Sequence, residues 1–212
     1  MGRHGLTARQ APRVNTPAPD LSAMSPPAAW AWLADELVAA TTSARHGLHL
    51  PTLATIGADG AAEARTVVLR HVDAARREIR FHTDIRSPKV AAIRRDPRVA
   101  LHWYDPARRV QVRIPAVATI HHGDAVAAAA WAASAAMSRA CYAADHGPGT
   151  TLEAFPAAPV APADDDDAGL RQFAVVACRF DVVEVLCLHA AGHQRVRLHV
   201  AQTPVTWDLL AP

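Results

Sequence analysis

Cysteine is scarce in this chain of 212 residues: there are three, Cys141, Cys178 and Cys187, and no two have the spacing of a zinc or redox motif. Such an odd, scattered set builds no complete disulfide framework, and a reduced, cytoplasmic compartment fits it best. An excess of either charge is also missing. Lys and Arg number 22 against 20 Asp and Glu, a net charge of +2, and the arginines are scattered along the chain. Nucleic acid is therefore not an expected partner. No apolar run approaches the roughly 20 residues of a membrane span, so no membrane partner is expected either. The N-terminal stretch MGRHGLTARQAPRVNTPAPDLSAM has no hydrophobic segment, as a secretion signal would require. It also lacks the Ser or Thr that a myristoylation site places after the glycine. Large aromatics make up only 5% of the residues, and alanine dominates the 50% that are hydrophobic. One alanine-rich core is the expectation at this length, not two full domains.

What is present changes character along the chain. Residues 1–23 are rich in Pro, Ala, Arg and Thr without periodicity and read as a mobile arm ahead of one domain over 24–212. Ser25 and Pro26 start a helix with an apolar stripe at Trp30, Leu33, Leu37 and Val38, which Gly47 ends. LHLPTLATIGADGAAEARTVVLR reads as two strands turned at residues 58–60, with Asp-Gly as the hairpin signal. A second turn at HVDAARRE leads into IRFHTD, and SPKVAAIRRDP forms a short helix capped by Ser87. RVALHWYD and RVQVRIPAVATIHH alternate as a hairpin across Pro106. GDAVAAAAWAASAAMSRACYAAD is the longest helical stretch by propensity. Residues 146–169 read as a Pro-rich loop with a solvated acidic run, and three more strands follow it. Six or more short strands with few helices predict a small β-barrel decorated by helices.

The charged ends of these strands carry the chemistry. RTVVLR has an arginine at each end, and FHTDIRSPK ends in a loop with Thr83, Asp84, Arg86, Ser87 and Lys89. Arginine offers a planar fork and lysine a point charge, and Ser87 stands where backbone N–H groups open a helix. Lys89 in a first helical turn opposes the helix dipole unless an anion is present. A phosphate-bearing ligand is the reading that removes this conflict; ordinary solvated strand-end charges are the alternative.

The order of RTVVLR, FHTDIRSPK, DPRVALHWY, RVQVR, MSR and the closing WDLLAP resembles the pyridoxamine 5′-phosphate oxidase-like family of FMN-binding split barrels, from about residue 25 to the C-terminus. The likeness is greatest to a branch sharing the form TVVLR…TD-RS-K. It implies a mainly β fold with α, a split β-barrel decorated by helices. It also implies FMN as cofactor and a homodimer with FMN at the subunit interface. By resemblance, Arg65 and Lys89 bind the phosphate with Ser87 and Arg86 nearby, and the backbone of Thr66, Val67 and Val68 runs beside the flavin ring. His82 and Thr83 match a Tyr-Thr pair at the flavin, and Gln111 matches a glutamine that bonds the ring. Ser138 and Arg139 match residues reaching over from the second subunit, and Arg197, before Arg195, matches a late arginine on FMN.

The departures matter as much. The vitamin B6 oxidase holds its substrate phosphate with a Tyr, an Arg and a Ser on one helix, and TIHHGDAVAAAA stands in that region. Arg70 replaces a substrate-contacting lysine, and Pro115 stands where a glycine is usual. If an anionic substrate docks, Arg70, Arg195 and Arg197 are the expected cations. No catalytic residue is assigned, because flavin chemistry needs no dedicated acid–base group. No metal site is expected: His121-His122 and His189/His193 lack ligand-spaced partners, and the three thiols read as buried and inert. Two function classes stay open. One is an FMN-dependent oxidoreductase acting on a small substrate; the other is a non-catalytic FMN store or sensor.

Overall fold

The computed structural model describes residues 18–155 and 169–212. The expectations for residues 1–17, and for the acidic run within 156–168, lie outside those residues. A 3-10 turn, Leu21–Ala23, precedes helix α1, Pro26–Thr42. Leu21, which the sequence places in the arm, is 2% exposed in the core, and its N–H donates to Gln194 Oε1 at 2.7 Å. Ser25 caps α1 by accepting from the Ala28 N–H. The buried face of α1 is Ala29, Leu33, Leu37 and Ala40, and Trp30 packs edge-on against Phe180 at 6.0 Å. Val38, expected on that stripe, is exposed. The helix stops at Thr42, short of Gly47. That glycine is needed instead for close approach, since a Cβ there would meet the Asp105 carboxylate at 2.3 Å.

Strands β1 (Thr52–Ile56) and β2 (Ala62–Thr66) form the expected hairpin, and Gly60 supplies the positive φ of 85° that its turn requires. RTVVLR is not one strand. β2 ends at Thr66 and β3 (Leu69–Asp73) begins after Val67 and Val68, where the Val67 N–H donates to Pro51 O. β3 pairs with β4 (Glu78–Asp84), and the register slips between Leu69 and His71, leaving Arg70 as the extra residue of a bulge. Helix α2 (Pro88–Arg95) leads to β5 (Arg98–Asp105) and β6 (Val110–His121).

The alanine-rich stretch divides. α3 (Ala125–Ala132) ends where Ser134 Oγ bonds back to Ala130 O and Arg139 Nε donates to Ser134 O. After an extended Ala135, α4 (Ala136–Ala140) adds little more than one turn. α1, at 17 residues, is thus the longest helix among the described residues. Propensity alone did not decide the matter, because two backbone carbonyls found side-chain partners. FAVVACRFDVVEVLCLH also divides, at Asp181, into β7 (Phe173–Arg179) and β8 (Val182–Cys187); β9 (Gln194–His199) and β10 (Thr206–Leu210) complete the chain.

The strands are antiparallel and follow the order β10-β9-β8-β6-β5-β1-β2, with β7, β4 and β3 branching from β6. β6 makes the branch by pairing β8 over Val110–Arg113 and β7 over Val117–His121. This forked sheet is the split barrel. Its interior holds Leu53, Phe81, Leu101, Trp103, Ile114, Val183 and Leu198, and the Trp103 indole donates to Leu48 O at 2.8 Å. Burial pushes the Cys178 and Cys187 thiols up to about 12, as inert core groups, whereas Cys141 is exposed, contrary to expectation. Among the described residues, no helix is long and apolar enough to cross a membrane.

Candidate functional site

Three separate groups of side chains take up the residues singled out by sequence. The first surrounds the N-terminus of α2. Lys89 Nζ donates to Ser87 Oγ at 2.6 Å and to Thr83 Oγ1 at 3.2 Å, and both hydroxyl residues are buried. Ser87 occupies the N-cap position, but its side chain makes no capping bond and faces the lysine instead. Arg65 reaches the same region from β2, donating to Thr55 Oγ1 at 2.5 Å and pairing with Glu63 at 2.6 Å. Burial, then the charge of Arg65, pulls the Lys89 ammonium below its usual range. Lys89 therefore has hydroxyl partners, a neighbouring cation and, among the described residues, no ion pair. That donor set fits a phosphate, which would relieve the repulsion and take both hydroxyls. FMN, whose phosphate these residues would hold, fits the group on this chemistry.

Arg86, expected beside the phosphate, is engaged elsewhere. It pairs with Asp84 through Nε at 3.0 Å and Nη2 at 2.7 Å, and donates to Asp145 O and Ala144 O. Its role here is to clamp the loop between β4 and α2 to the segment after α4. Thr66 is exposed, Val67 is buried, and Val68 lies between these extents, in the break between β2 and β3.

The second group lines a cavity of about 680 Å³ between β3, β4 and the α3–α4 region. Arg70, His82 and Ser138 meet here with alanines of α3 from the TIHHGDAVAAAA segment, joined by Arg80 and Thr41, which the sequence reading did not single out. The bulge at Arg70 turns both Arg70 and His71 outward while Leu69 and Val72 stay in the core. Burial, then Arg70, lowers the His82 imidazole to about 4, so it is neutral at physiological pH. Its ring sits edge-on to Phe173 at 4.8 Å. Phe173 also meets Trp131 at 5.2 Å and Tyr142 at 5.0 Å, and this aromatic knot seats α3 on β7. Arg139 lies over the Trp131 ring at 5.6 Å, beside the cavity and not within its lining.

The third group is on the outer face of the sheet. Gln111 alternates with the inward Val110 and Val112, three strands across from Arg65 and on the opposite face. Beside it, Glu184 gathers Arg195 at 2.9 Å, Arg197 at 2.8 Å and Arg113 at 3.5 Å. Within one chain, then, Gln111, Arg195 and Arg197 do not join the Lys89 group. Arg195 Nη2 and Glu184, a pair set by strands β8 and β9, had no signal in sequence beyond alternation. The Arg195 hydrogen bond, then Arg197 and the charge of Arg113, holds the Glu184 carboxyl below its usual 4.5 against the effect of burial. A depressed carboxylate stabilises the fold above its unfolded-state value and loses this as pH falls through the folded one. Glu184→Gln should therefore lower the melting temperature at neutral pH, and the gap from wild type should close as the pH falls below 4.5, by thermal unfolding across pH.

The His121-His122 pair is accounted for locally. His121 Nδ1 lies 2.8 Å from Asp124, and His122 Nδ1 is 2.9 Å from Phe173 O. Among the described residues no group of three or more His, Cys, Asp or Glu is placed to hold a metal.

Comparison with known proteins converges on these elements. Residues 27–122 match the model of the pyridoxamine 5′-phosphate oxidase FMN-binding domain, a span from α1 to the end of β6 that includes the Lys89 group. A pyridoxine/pyridoxamine 5′-phosphate oxidase of Kineococcus radiotolerans is 52% identical over 64 residues, which is 29% of this chain and 27% of that protein. The match thus spans about a quarter of the curated relative. A pyridoxamine 5′-phosphate oxidase-related, FMN binding protein from Nostoc punctiforme has a similar fold, with a TM-score of 0.68 at 22% identity over 86% of this chain and 97% of that one. PhzG from Burkholderia lata, solved with tetrahydrophenazine-1-carboxylic acid, gives 0.63 at 18% identity over 86% and 89%. At these identities the two structures speak for the fold, and the family match implies FMN as cofactor.

Proposed function

We propose, from the premise that residues 27–122 belong to the pyridoxamine 5′-phosphate oxidase FMN-binding domain family, that the protein is an FMN-dependent oxidoreductase acting on a small substrate. The observation that carries the reading is Lys89. It is a half-buried ammonium held by two buried hydroxyls, beside a second cation, with no carboxylate paired to it among the described residues. FMN, when bound, supplies the two-electron redox chemistry. The chain's own residues bind, orient and exclude water. Lys89, Arg65, Thr83 and Ser87 would hold the phosphate, and neutral His82 with Arg70 would present a substrate to the site. The cavity of about 680 Å³ that brings Arg70, His82 and Ser138 together is what favours an enzyme over a store or sensor, since it leaves room for a substrate. Steady-state assays of the FMN-loaded protein with amines, alcohols and reductants test this. Turnover supports the enzyme; full flavin occupancy with no turnover of any class supports the store or sensor.

The site is completed by a second copy of the chain. Supporting this, Gln111, Arg195 and Arg197 stand on an outer sheet face away from Lys89. That face carries a row of small residues, Ala64, Ala54, Ala100 and Pro115, in register across β2, β1, β5 and β6. Ile56, Tyr104 and Val117 project around this row and are exposed. Pairing two such faces would bury apolar area worth about 25 cal/mol per Å² before association costs. Light scattering on the FMN-loaded protein should give twice 22.6 kDa; a mass of 22.6 kDa at full flavin occupancy would refute a shared site.

A further inference from the structure

We propose that Arg86 is a positioning residue of the phosphate site and not a ligand in it. By neutralising Asp84, it keeps a buried carboxylate from pairing with Lys89 and from repelling the phosphate. This rests on the FMN reading above. Three observations carry it. First, Asp84 stands in the site's own loop, next to Thr83 and three residues before Ser87, with a side chain only 6% exposed. Water screens its charge little, and the charge is felt at Lys89. Burial and then Arg65 lower that ammonium, while Asp84 acts in the opposite sense. Second, the carboxylate is nonetheless taken up by Arg86. Its Oδ1 accepts from the Arg86 backbone N–H at 2.8 Å and from Arg86 Nε at 3.0 Å, and its Oδ2 accepts from Nη2 at 2.7 Å. The Lys89 ammonium is left to the hydroxyls of Ser87 and Thr83. Third, Arg86 is held in place from outside the loop. Nη2 donates to Ala144 O at 2.9 Å and Nη1 to Asp145 O at 3.2 Å, so all three guanidinium nitrogens are engaged. Gly147 lets that segment close on the arginine, since a Cβ there would meet Arg86 Cβ at 2.9 Å. Asp84 itself shapes the turn: its side chain takes the Arg86 N–H, and its backbone carbonyl takes the Ser87 N–H at 3.0 Å. Such a turn needs a side-chain oxygen but no charge, and asparagine supplies one.

The test is titration of wild type and variants with FMN and with riboflavin. A change confined to the phosphate site moves the ratio of the two affinities, whereas damage to the fold moves both together. Arg86→Met should weaken FMN by about tenfold, the scale of one uncompensated charge near a protein surface, and leave riboflavin within about twofold. Asp84→Asn keeps the turn and removes the charge. Alone it should shift FMN by less than about threefold, and added to Arg86→Met it should restore most of the lost FMN affinity. A guanidinium acting as a phosphate ligand gives the reverse coupling: Asp84→Asn, by freeing it, would tighten FMN when Arg86 is present and rescue nothing in Arg86→Met. That result, or equal losses of FMN and riboflavin in Arg86→Met, overturns the inference. If Arg86→Met does not fold, Arg86→Lys, which keeps the charge, and the Asp84→Asn, Arg86→Met double variant decide it. Both should bind FMN within about threefold of wild type, and loss of the preference for FMN over riboflavin in either overturns the inference. Equal affinity of the wild type for FMN and riboflavin sinks the phosphate reading itself. A wild type that prefers FMN, with variants that do not follow, sinks only the role of Arg86.

Discussion

Lys89→Ala is expected to weaken FMN binding by about 1.5–3 kcal/mol, roughly 10- to 150-fold in Kd. The lysine lies in the first turn of α2, where a cation opposes the positive end of the helix dipole. Burial and Arg65 already disfavour its charge, and among the described residues its ammonium hydrogen bonds go to Ser87 and Thr83. The helix dipole, the burial and the Arg65 charge all disfavour the ammonium without an anion, and a bound phosphate would offset them. Arg65→Ala should cost less, because Arg65 already gives part of its guanidinium to Glu63 and Thr55. Quenching of FMN fluorescence on titration with protein measures both. Equal affinities for Lys89→Ala and wild type would remove the lysine from the site.

Phe173→Ala should be among the most destabilising substitutions in the molecule, at about 3–5 kcal/mol, because it deletes a large buried ring and leaves a cavity. Phe173 is 0% exposed and touches His82, Trp131 and Tyr142 edge-on. It joins β4, α3 and the segment after α4, so its loss should loosen the walls of the Arg70 cavity along with the core. For a domain of this size the melting temperature should fall by about 6–20 °C. Phe173→Leu, keeping more of the volume, should lose less. Differential scanning calorimetry checks this; a fall of only a degree or two would show that the aromatic knot is peripheral.

Hairpins and caps were the most legible parts of the sequence. Asp-Gly marked the β1–β2 turn, Ser25-Pro26 marked the start of α1, and alternation marked β5 and β6. Those signals are local, as are the interactions that realise them. The breaks were hidden. Nothing in RTVVLR announces that Val67 and Val68 separate two strands, because the decision is made by the Val67 N–H reaching Pro51 O across the sheet. The alanine stretch reads as one helix because its interruption depends on Arg139 and Ser134 finding carbonyls. The site followed the same division. Thr83, Ser87 and Lys89 lie within seven residues, and their convergence was legible from spacing. That Arg86 would turn to Asp84, or that Glu63 would face Arg65, required three-dimensional placement. The alanines of TIHHGDAVAAAA were legible as a departure in the substrate region, but that they wall a cavity with Arg80 was not, because a cavity is made by what side chains leave empty.

The central claim is that this chain holds FMN by its phosphate, through Lys89 and the hydroxyls it gathers. Titrating the wild-type protein with FMN and with riboflavin, which differ only in that phosphate, tests it most directly. FMN should bind roughly 10- to 150-fold more tightly, by the loss expected for charged hydrogen bonds, and the purified protein should show a yellow flavin band. Equal affinity for FMN and riboflavin, or no affinity for either, would contradict it.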